Sequence, residues 1–285
     1  MSPLPKSELL EMARYFATQQ LARRWDPKLY LHFKAPRLRP ALDLISQINH
    51  TNPGHIVDLG CGTGNITKIL RCRWSDAKIS CVDSSEEMLK KAEQDHSAGE
   101  IIHNVDYIRE DFETFQPDTS VDIIYSNAAF HWVSFEIHRT LFPRLLSFLN
   151  PGGILALQMP DSRAQNSHSM MVEAAAQLGL PTDNVRWVTT EADPDAYYNL
   201  LSPQAELNIW TSTYTHLFSG ENPVADFTAS TGLGPYIDAF GGYKSVKGRA
   251  YIQKYRELIA EKYPKQQDDK TLFPMKRFFI VATKK

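Results

Sequence analysis

Asp58 stands two places before a run of alternating glycines, Gly60, Gly62 and Gly64, in the stretch HIVDLGCGTGNITKIL at 55–70. The stretch begins apolar, as a buried strand does, and ends with helical spacing. A turn of that kind brings bare backbone close to a ligand. In open parallel sheets, ligands sit at the carboxyl ends of the strands, at the topological switch point. Glycine loops entering helices often hold phosphate. Two features oppose phosphate here: Asn65 occupies the third dinucleotide-glycine position, and Asp58 would set a negative charge beside it. An acid there suits a ligand that carries a cation. Asp83 follows 25 residues later at the end of the next apolar run, where an acid commonly takes the hydroxyls of a ribose. Asp111 follows the third run, in YIREDF. Three carboxylates in this order fit a ligand with an amino group, a ribose and an adenine, and no phosphate.

The elements that must position these acids follow from periodicity. Short β-rich runs at Ile56–Leu59, Lys78–Val82, Val105–Ile108, Val121–Tyr125 and Ile154–Gln158 alternate with helical patterns near 64–73, 85–95 and 135–148. Alternation of this kind implies crossover units and a parallel sheet. A helix is expected from Leu38 to Ile48, and LNPGG at 149–153 reads as a helix stop and turn. AELNIWTSTYTHLF at 205–218 and PMKRFFIVATKK at the end read as two late strands. The helical residues 222–264 between them break at glycines near 232–234 and 241–242, which suggests a terminal hairpin with a helical insertion. The expected fold class is α/β, a doubly wound, seven-stranded, mostly parallel sheet. Residues 1–50 are expected to form an N-terminal helical lid and 51–160 the cofactor-binding core. Residues 161–285 are expected to complete the sheet and carry helical substrate-binding insertions.

Composition narrows the function classes. With 285 residues, 42% hydrophobic and 22% charged, the chain reads as an ordinary globular protein. A net charge of −2 gives no general attraction to nucleic acid or to an acidic membrane. No apolar stretch approaches the roughly 20 residues that span a bilayer. The N-terminus lacks a signal-peptide apolar block and reads as an amphipathic helix. Glu8 and Glu11 argue against a transit peptide. Cys61, Cys72 and Cys81 fit reduced thiols, hence a cytoplasmic setting, and their spacing does not suit zinc. No metal is expected, and a monomer is expected.

VDLGCGTGN resembles motif I of the class I S-adenosylmethionine-dependent methyltransferases. Asp83, in CVDSSEEML, resembles the ribose-binding acid of motif II, and Asp111 the acid near the adenine amino group. IIYSNAAFHW resembles the fourth-strand segment that borders the sulfonium. The resemblance implies S-adenosyl-L-methionine as cofactor. It implies Asp58, Gly60, Cys61, Gly62, Gly64, Asn65, Asp83, Ser84, Met88, Asp111, Phe112, Asn127 and Ala128 as cofactor-binding residues. On packing grounds alone, Cys61, Met88 and Leu89 read as core. WDPKLYLHF, RLRPALDL, SNAAFHWV, LALQMPD, AYYNLLS, IWTSTYTH, TGLGPYIDAF and RFFIVA together resemble the trans-aconitate methyltransferases, over about Trp25 to Ala282. Members of that family esterify one carboxylate of a small tricarboxylic acid. The N-terminus is longer than in bacterial members, and MPDSRAQNSHS departs from the family's usual run.

A carboxylate is ionised at neutral pH, with a solution pKa of about 4, so it attacks a sulfonium methyl without a general base. The enzyme must align the reactants and exclude water. Spectator carboxylates are best held by arginine forks. Candidates are Arg37, Arg39, Arg163, Arg249 and Arg277, with Arg39 and Arg277 foremost. Trp25, Tyr30, His32 and Phe33 are expected to close over the cofactor, and Tyr197 and Tyr198 to offer hydroxyls to the acid. His131 and Trp132, after the fourth strand, are the expected catalytic pair: Trp132 as a wall, His131 as a hydrogen-bond donor to a carboxylate. The alternatives are another small-molecule acid, a natural-product acid, a phenol with His131 as base, a non-methylating cofactor-binding protein, and a nicotinamide dehydrogenase.

Overall fold

Every residue of β1 (His55–Leu59) beyond its first is buried, the mark of a strand covered on both sheet faces. A computed structural model describes residues 38–98, 103–183, 185, 193–229 and 231–285. Around β1 it builds a seven-stranded sheet in the order β3-β2-β1-β4-β5-β7-β6, mostly parallel with one antiparallel hairpin. The further strands are β2 (Lys78–Asp83), β3 (Val105–Arg109), β4 (Val121–Asn127), β5 (Leu149–Pro160), β6 (Ala205–Phe218) and β7 (Thr271–Lys284). β1 pairs in parallel with β2 on one side and β4 on the other, so strand order reverses between β1 and β4. That reversal is the expected ligand crevice.

Helices follow their sequence signals closely. α1 (Arg39–Ser46), α2 (Asn65–Arg73), α3 (Glu86–Ser97) and α4 (Phe135–Phe148) lie within a residue or two of the expected segments. α3 starts where Ser85 Oγ accepts the Met88 N–H at 3.3 Å, with Glu86 and Glu87 in its first turn to complement the helix dipole. The later helices are α5 (Asn166–Gln177), α6 (Pro194–Leu201), α7 (Pro223–Ala229), α8 (Gly234–Ala239) and α9 (Val246–Lys262). The glycine breaks fall between α7, α8 and α9. LNPGG departs from expectation: it lies inside β5, with the register against β4 shifted between Val121 and Ile123 and Gly152 at φ +76°. An irregular strand start therefore replaces a free turn.

The described residues fall into two compact units. The first takes its residues from 1–159, 192–210 and 278–285, the second from 160–191 and 211–277. In the first, Val57, Leu59, Ile124, Leu155 and Leu157 pack with Phe142 and Leu145 of α4, Tyr197 of α6 and Phe278 of β7. In the second, α5, α7, α8 and α9 enclose Met171, Tyr236, Tyr251 and Tyr255 together with Phe273 and Met275 of β7. Tyr255 donates to the Ser167 carbonyl at 2.9 Å, so buried hydroxyls are satisfied within that bundle. Residues 1–37, on which the expected N-terminal helix and most of the expected lid fall, lie outside the described residues.

Candidate active site

The loop after β1 is held open by two devices. Gly64 caps α2 at φ +71°, and a Cβ there would come within 2.5 Å of His96 Nε2. His96 donates from that nitrogen to the Gly64 carbonyl at 2.9 Å, and its Nδ1 pairs with the Tyr107 hydroxyl at 2.6 Å. Burial lowers the His96 pKa, with the Gly64 carbonyl working against it, so the ring is neutral and fixed in one tautomer. Gly62, at φ +55°, differs: nothing lies within 4 Å of its would-be Cβ. The backbone there borders open space. Its N–H donates to Asp83 Oδ2 at 2.9 Å, while Asp83 Oδ1 accepts from the Ser85 N–H at 2.9 Å. The carboxylate ending β2 is therefore oriented by the loop and by its own turn.

Asp58 is 2% exposed, and its Oδ2 accepts from Thr67 Oγ1 at 2.7 Å. Burial pushes its pKa up to about 7; the Thr67 hydrogen bond opposes that rise, and the Asp83 charge adds to it. Across the switch point, Ser126 Oγ donates to the Leu59 carbonyl at 2.7 Å and ties β4 to the end of β1. The next residue, Asn127, stands opposite Gln158 in the β4–β5 register. Asn127 Oδ1 and Gln158 Nε2 are both buried without a hydrogen-bond partner. Such an atom costs about 1–3 kcal/mol when left unmet, so a bond from a water or a ligand at either one would be favourable. Ala128, at φ +55°, donates to the Gln158 carbonyl at 2.8 Å and starts the turn that carries His131 and Trp132.

Comparison with known proteins agrees with this geometry. Residues 56–153 match the family described as "Methyltransferase domain". A trans-aconitate 2-methyltransferase of Klebsiella pneumoniae (strain 342) is 40% identical over 261 residues, spanning 91% of this chain and 98% of that protein. Its counterpart from Acidovorax ebreus (strain TPSY) is 38% identical over 90% of this chain and 97% of its own. The chain belongs to the trans-aconitate 2-methyltransferase family. An Escherichia coli O157:H7 member of the same name is 35% identical over 90% of this chain and 97% of its own. Among solved structures, the YcgJ protein from Bacillus subtilis matches 86% of this chain and 97% of its own at TM-score 0.54 and 15% identity. The cyclopropane synthase MmaA2 from Mycobacterium tuberculosis matches 86% of this chain and 82% of its own at TM-score 0.52 and 15% identity. These two likenesses concern the fold alone.

The protein is an S-adenosylmethionine-dependent methyltransferase. Its described residues fit that cofactor. The open face of Gly62 admits a ligand against bare backbone, Asp83 presents an oriented acceptor pair, and Asn127 Oδ1 is an unmet acceptor suited to an ammonium. Asp111 is exposed, with Oδ1 taking the Glu113 N–H at 3.1 Å, and Phe112 packs on Phe130 at 4.9 Å. Asn65 Nδ2 donates to Thr63 Oγ1 at 3.1 Å, and Ser84 is exposed. Cys61 is buried beside Cys81, whose contact, with burial, raises its thiol pKa, so it is not a reactive thiolate. Met88 is 44% exposed, a correction to its reading as core, whereas Leu89 is buried.

The remaining candidates fall on several elements of the two units. His131 and Trp132 share a 3₁₀ turn with ring centroids 5.1 Å apart, and Trp132 is 40% exposed. Tyr197 is fully buried, with its hydroxyl 2.9 Å from His138 Nδ1, so the structure places it in the core and not on an open pocket. Its neighbour Tyr198 is 55% exposed. Arg39 opens α1, whose Ala41 carbonyl accepts the Tyr125 hydroxyl at 3.2 Å. Tyr125 lies two residues before Asn127 on the same face of β4. Arg277, on β7, belongs to the second unit. Arg163, also there, donates to both oxygens of Asp161 at 2.8 and 2.9 Å, and Lys276 adds a third contact at 3.1 Å. These charges hold the Asp161 pKa down to about 2 and line a cavity of about 420 Å³. Trp25, Tyr30, His32, Phe33 and Arg37 lie outside the described residues. Gln158 carries no sequence signal beyond its place in LALQMPD; burial and register alone reveal it. Among the described residues no cluster could hold a metal, and no helix is long and apolar enough to cross a membrane.

Proposed function

We propose that this protein esterifies one carboxylate of trans-aconitate. The observation that carries the reading is likeness to trans-aconitate 2-methyltransferases along nine-tenths of the chain, including the region after residue 160, which a bare cofactor-binding match would not cover. When bound, S-adenosylmethionine supplies a methyl group activated on a sulfonium. Asp83 takes the ribose hydroxyls, Asp111 the adenine amino group, and Asp58 with Asn127 the ammonium end. Gly60, Cys61, Gly62, Gly64 and Asn65 form the backbone cradle, with Ser84, Met88, Phe112 and Ala128 around it. The acid arrives ionised, so the protein needs no base to generate its nucleophile. Trp132 walls the reaction space against water and His131 donates a hydrogen bond to a carboxylate. Arg39 clamps a spectator carboxylate, because its helix packs over the β4 face that bears Tyr125 and Asn127.

The same proposal includes Arg277 and Tyr198 as contacts to the acid, and the first 50 residues as a lid. It also covers the segments after 160 as substrate-binding insertions, a monomeric state and a cytoplasmic location. A methyl-transfer screen over small di- and tricarboxylates, read by S-adenosylhomocysteine release, tests the reading. Turnover of trans-aconitate well above the other acids is expected; turnover confined to phenols would overturn it. Replacing Arg39 by alanine is expected to lower kcat/KM for a tricarboxylate by about 1.5–3 kcal/mol, with lysine rescuing only in part.

A further inference from the structure

Gln158, near the carboxyl end of β5, is a 1% exposed side chain between Leu157 and Met159, which point to the opposite, α4-covered face. Its own face is shared with Ala156 on β5 and with Tyr125 and Asn127 on β4. Its main chain is fixed by the Ala128 N–H. Its amide nitrogen nonetheless donates to nothing. The Asn127 oxygen opposite is also unmet, although the two residues are register partners and are both amides able to bond each other. Two neighbouring amides, Gln158 buried and Asn127 half-buried, thus leave one buried acceptor atom and one buried donor atom unmet side by side. β4 borders the loop after β1 through the Ser126–Leu59 bond, so the acceptor lies on the cofactor side. The donor lies one strand further out, beyond the switch point.

We propose that Gln158 Nε2 donates to the carboxylate that receives the methyl group, and so sets which acid is turned over. This rests on the reading above that the acceptor is a small carboxylic acid. An unmet N–H donor asks for an oxygen acceptor, and an ionised carboxylate meets it best. The donor's neutrality suits the reacting group. A guanidinium there would draw off the charge that must attack, whereas an amide fixes one oxygen and leaves the other free. The methyl moves from sulfur to that free oxygen; the carbon–sulfur bond breaks as the carbon–oxygen bond forms, leaving a neutral thioether and a neutral ester. The buried setting excludes water from the same oxygens. Gln158 thus orients the acid, and Asn127 faces the ammonium.

The test replaces Gln158 by methionine, which keeps the volume and removes the donor, and by asparagine, which keeps the amide but shortens its reach. For Gln158→Met the expected result is a fall of at least tenfold in kcat/KM for trans-aconitate. S-adenosylhomocysteine affinity should change by less than twofold, and the melting temperature should be equal or higher, because an unmet polar group is gone. Calorimetric titration of trans-aconitate into the S-adenosylhomocysteine complex should show the same weakening without turnover. Gln158→Asn should recover part of the loss. Unchanged kcat/KM overturns the proposal. So does a loss that appears equally in cofactor affinity, which would assign the donor to the cofactor, or one that tracks a lowered melting temperature in both variants, which would make it structural. An unsubstituted enzyme that ignores trans-aconitate but methylates another acid fails the substrate reading alone, and the Gln158 comparison is then made on that acid.

Discussion

The Gly62 N–H donates to Asp83 Oδ2 at 2.9 Å, so the glycine loop after β1 and the acid ending β2 are one assembly. The carboxylate's other oxygen is held by Ser85, yet each oxygen keeps a further lone pair for a ligand. The loop positions the acid and the acid pins the loop at the glycine whose outer side is open.

Removing Asp83 should therefore cost binding in two ways. Asp83→Ala is expected to weaken S-adenosylmethionine at least tenfold, about 1.4 kcal/mol or more, since both ribose hydroxyls lose a charged acceptor and the loop loses its tether. Asp83→Asn keeps the tether oxygen and should weaken binding less. Calorimetry that finds alanine harmless would remove Asp83 from the cofactor site.

Gly62 and Gly64 separate fold from function. Gly64→Ala should destabilise the protein by more than about 2 kcal/mol, adding the left-handed penalty to displacement of buried His96 from its carbonyl partner. Gly62→Ala pays the backbone penalty alone, roughly 1–2 kcal/mol, because no atom lies near the new methyl. It should nevertheless lose cofactor affinity, since the methyl occupies the ligand's approach. Thermal melts and titrations on both variants check this crossed pattern.

Asp58 predicts a pH effect of definite sign. Its folded pKa of about 7 exceeds the ordinary 3.8, so between those values the folded protein holds a proton that the unfolded chain has released. Its stability contribution is present below pH 3.8 and is lost as pH rises to 7. A gap of three units amounts to a loss on the order of 4 kcal/mol at about 1.4 kcal/mol per unit. Asp58→Asn should melt higher than the parent above pH 7, and the gap should close towards pH 4. The same variant should bind S-adenosylmethionine more weakly, because a ligand cation favours the ionised acid. In the parent, calorimetry in buffers of different ionisation enthalpy should detect proton release on binding near pH 6.5.

The strands, the glycine turn and the strand-end acid that frame the proposed cofactor site were legible in sequence because these elements are local. A strand, a glycine turn and an acid at the next strand end are each specified within a few residues, and parallel order follows from alternation with helices. The pairing of the two unmet amide atoms was not legible: Asn127 and Gln158 are 31 residues apart and meet only through β4–β5 register. Tyr197 and Tyr198 were read together, but consecutive helical positions differ by about 100°, so one faces the core and the other solvent. LNPGG was read as a turn because a proline and two glycines argue against a strand, and a register shift accommodates them.

Tyr197 then makes a structural prediction. Burial lowers the His138 pKa to about 4, so the ring is neutral. It donates from Nε2 to the Phe130 carbonyl at 3.0 Å and accepts the Tyr197 hydroxyl at Nδ1. Tyr197→Phe strands that nitrogen and should lower stability by about 1–3 kcal/mol. KM for the acid should stay within twofold; a large rise in KM without a stability loss would return Tyr197 to the substrate pocket.

The last prediction concerns the pH profile of turnover. A carboxylate acceptor is fully ionised above about pH 5.5, some 1.5 units over its ordinary pKa, so it needs no proton removed during attack. His131, on the turn after β4, then serves by hydrogen bonding and not as a base. The value of kcat/KM should be flat from about pH 6 to 8 when cofactor is saturating, which takes any Asp58-linked change in cofactor binding out of the measurement. His131→Asn, which keeps a donor, should retain most of the activity, while His131→Ala should lose roughly five- to tenfold, about 1–1.4 kcal/mol for one neutral hydrogen bond. A phenol acceptor demands the opposite: rates that climb with pH until the base is free, and an asparagine variant as poor as alanine. A limb that rises across this range and vanishes in His131→Asn would make His131 a general base and exclude a carboxylate as the methylated group.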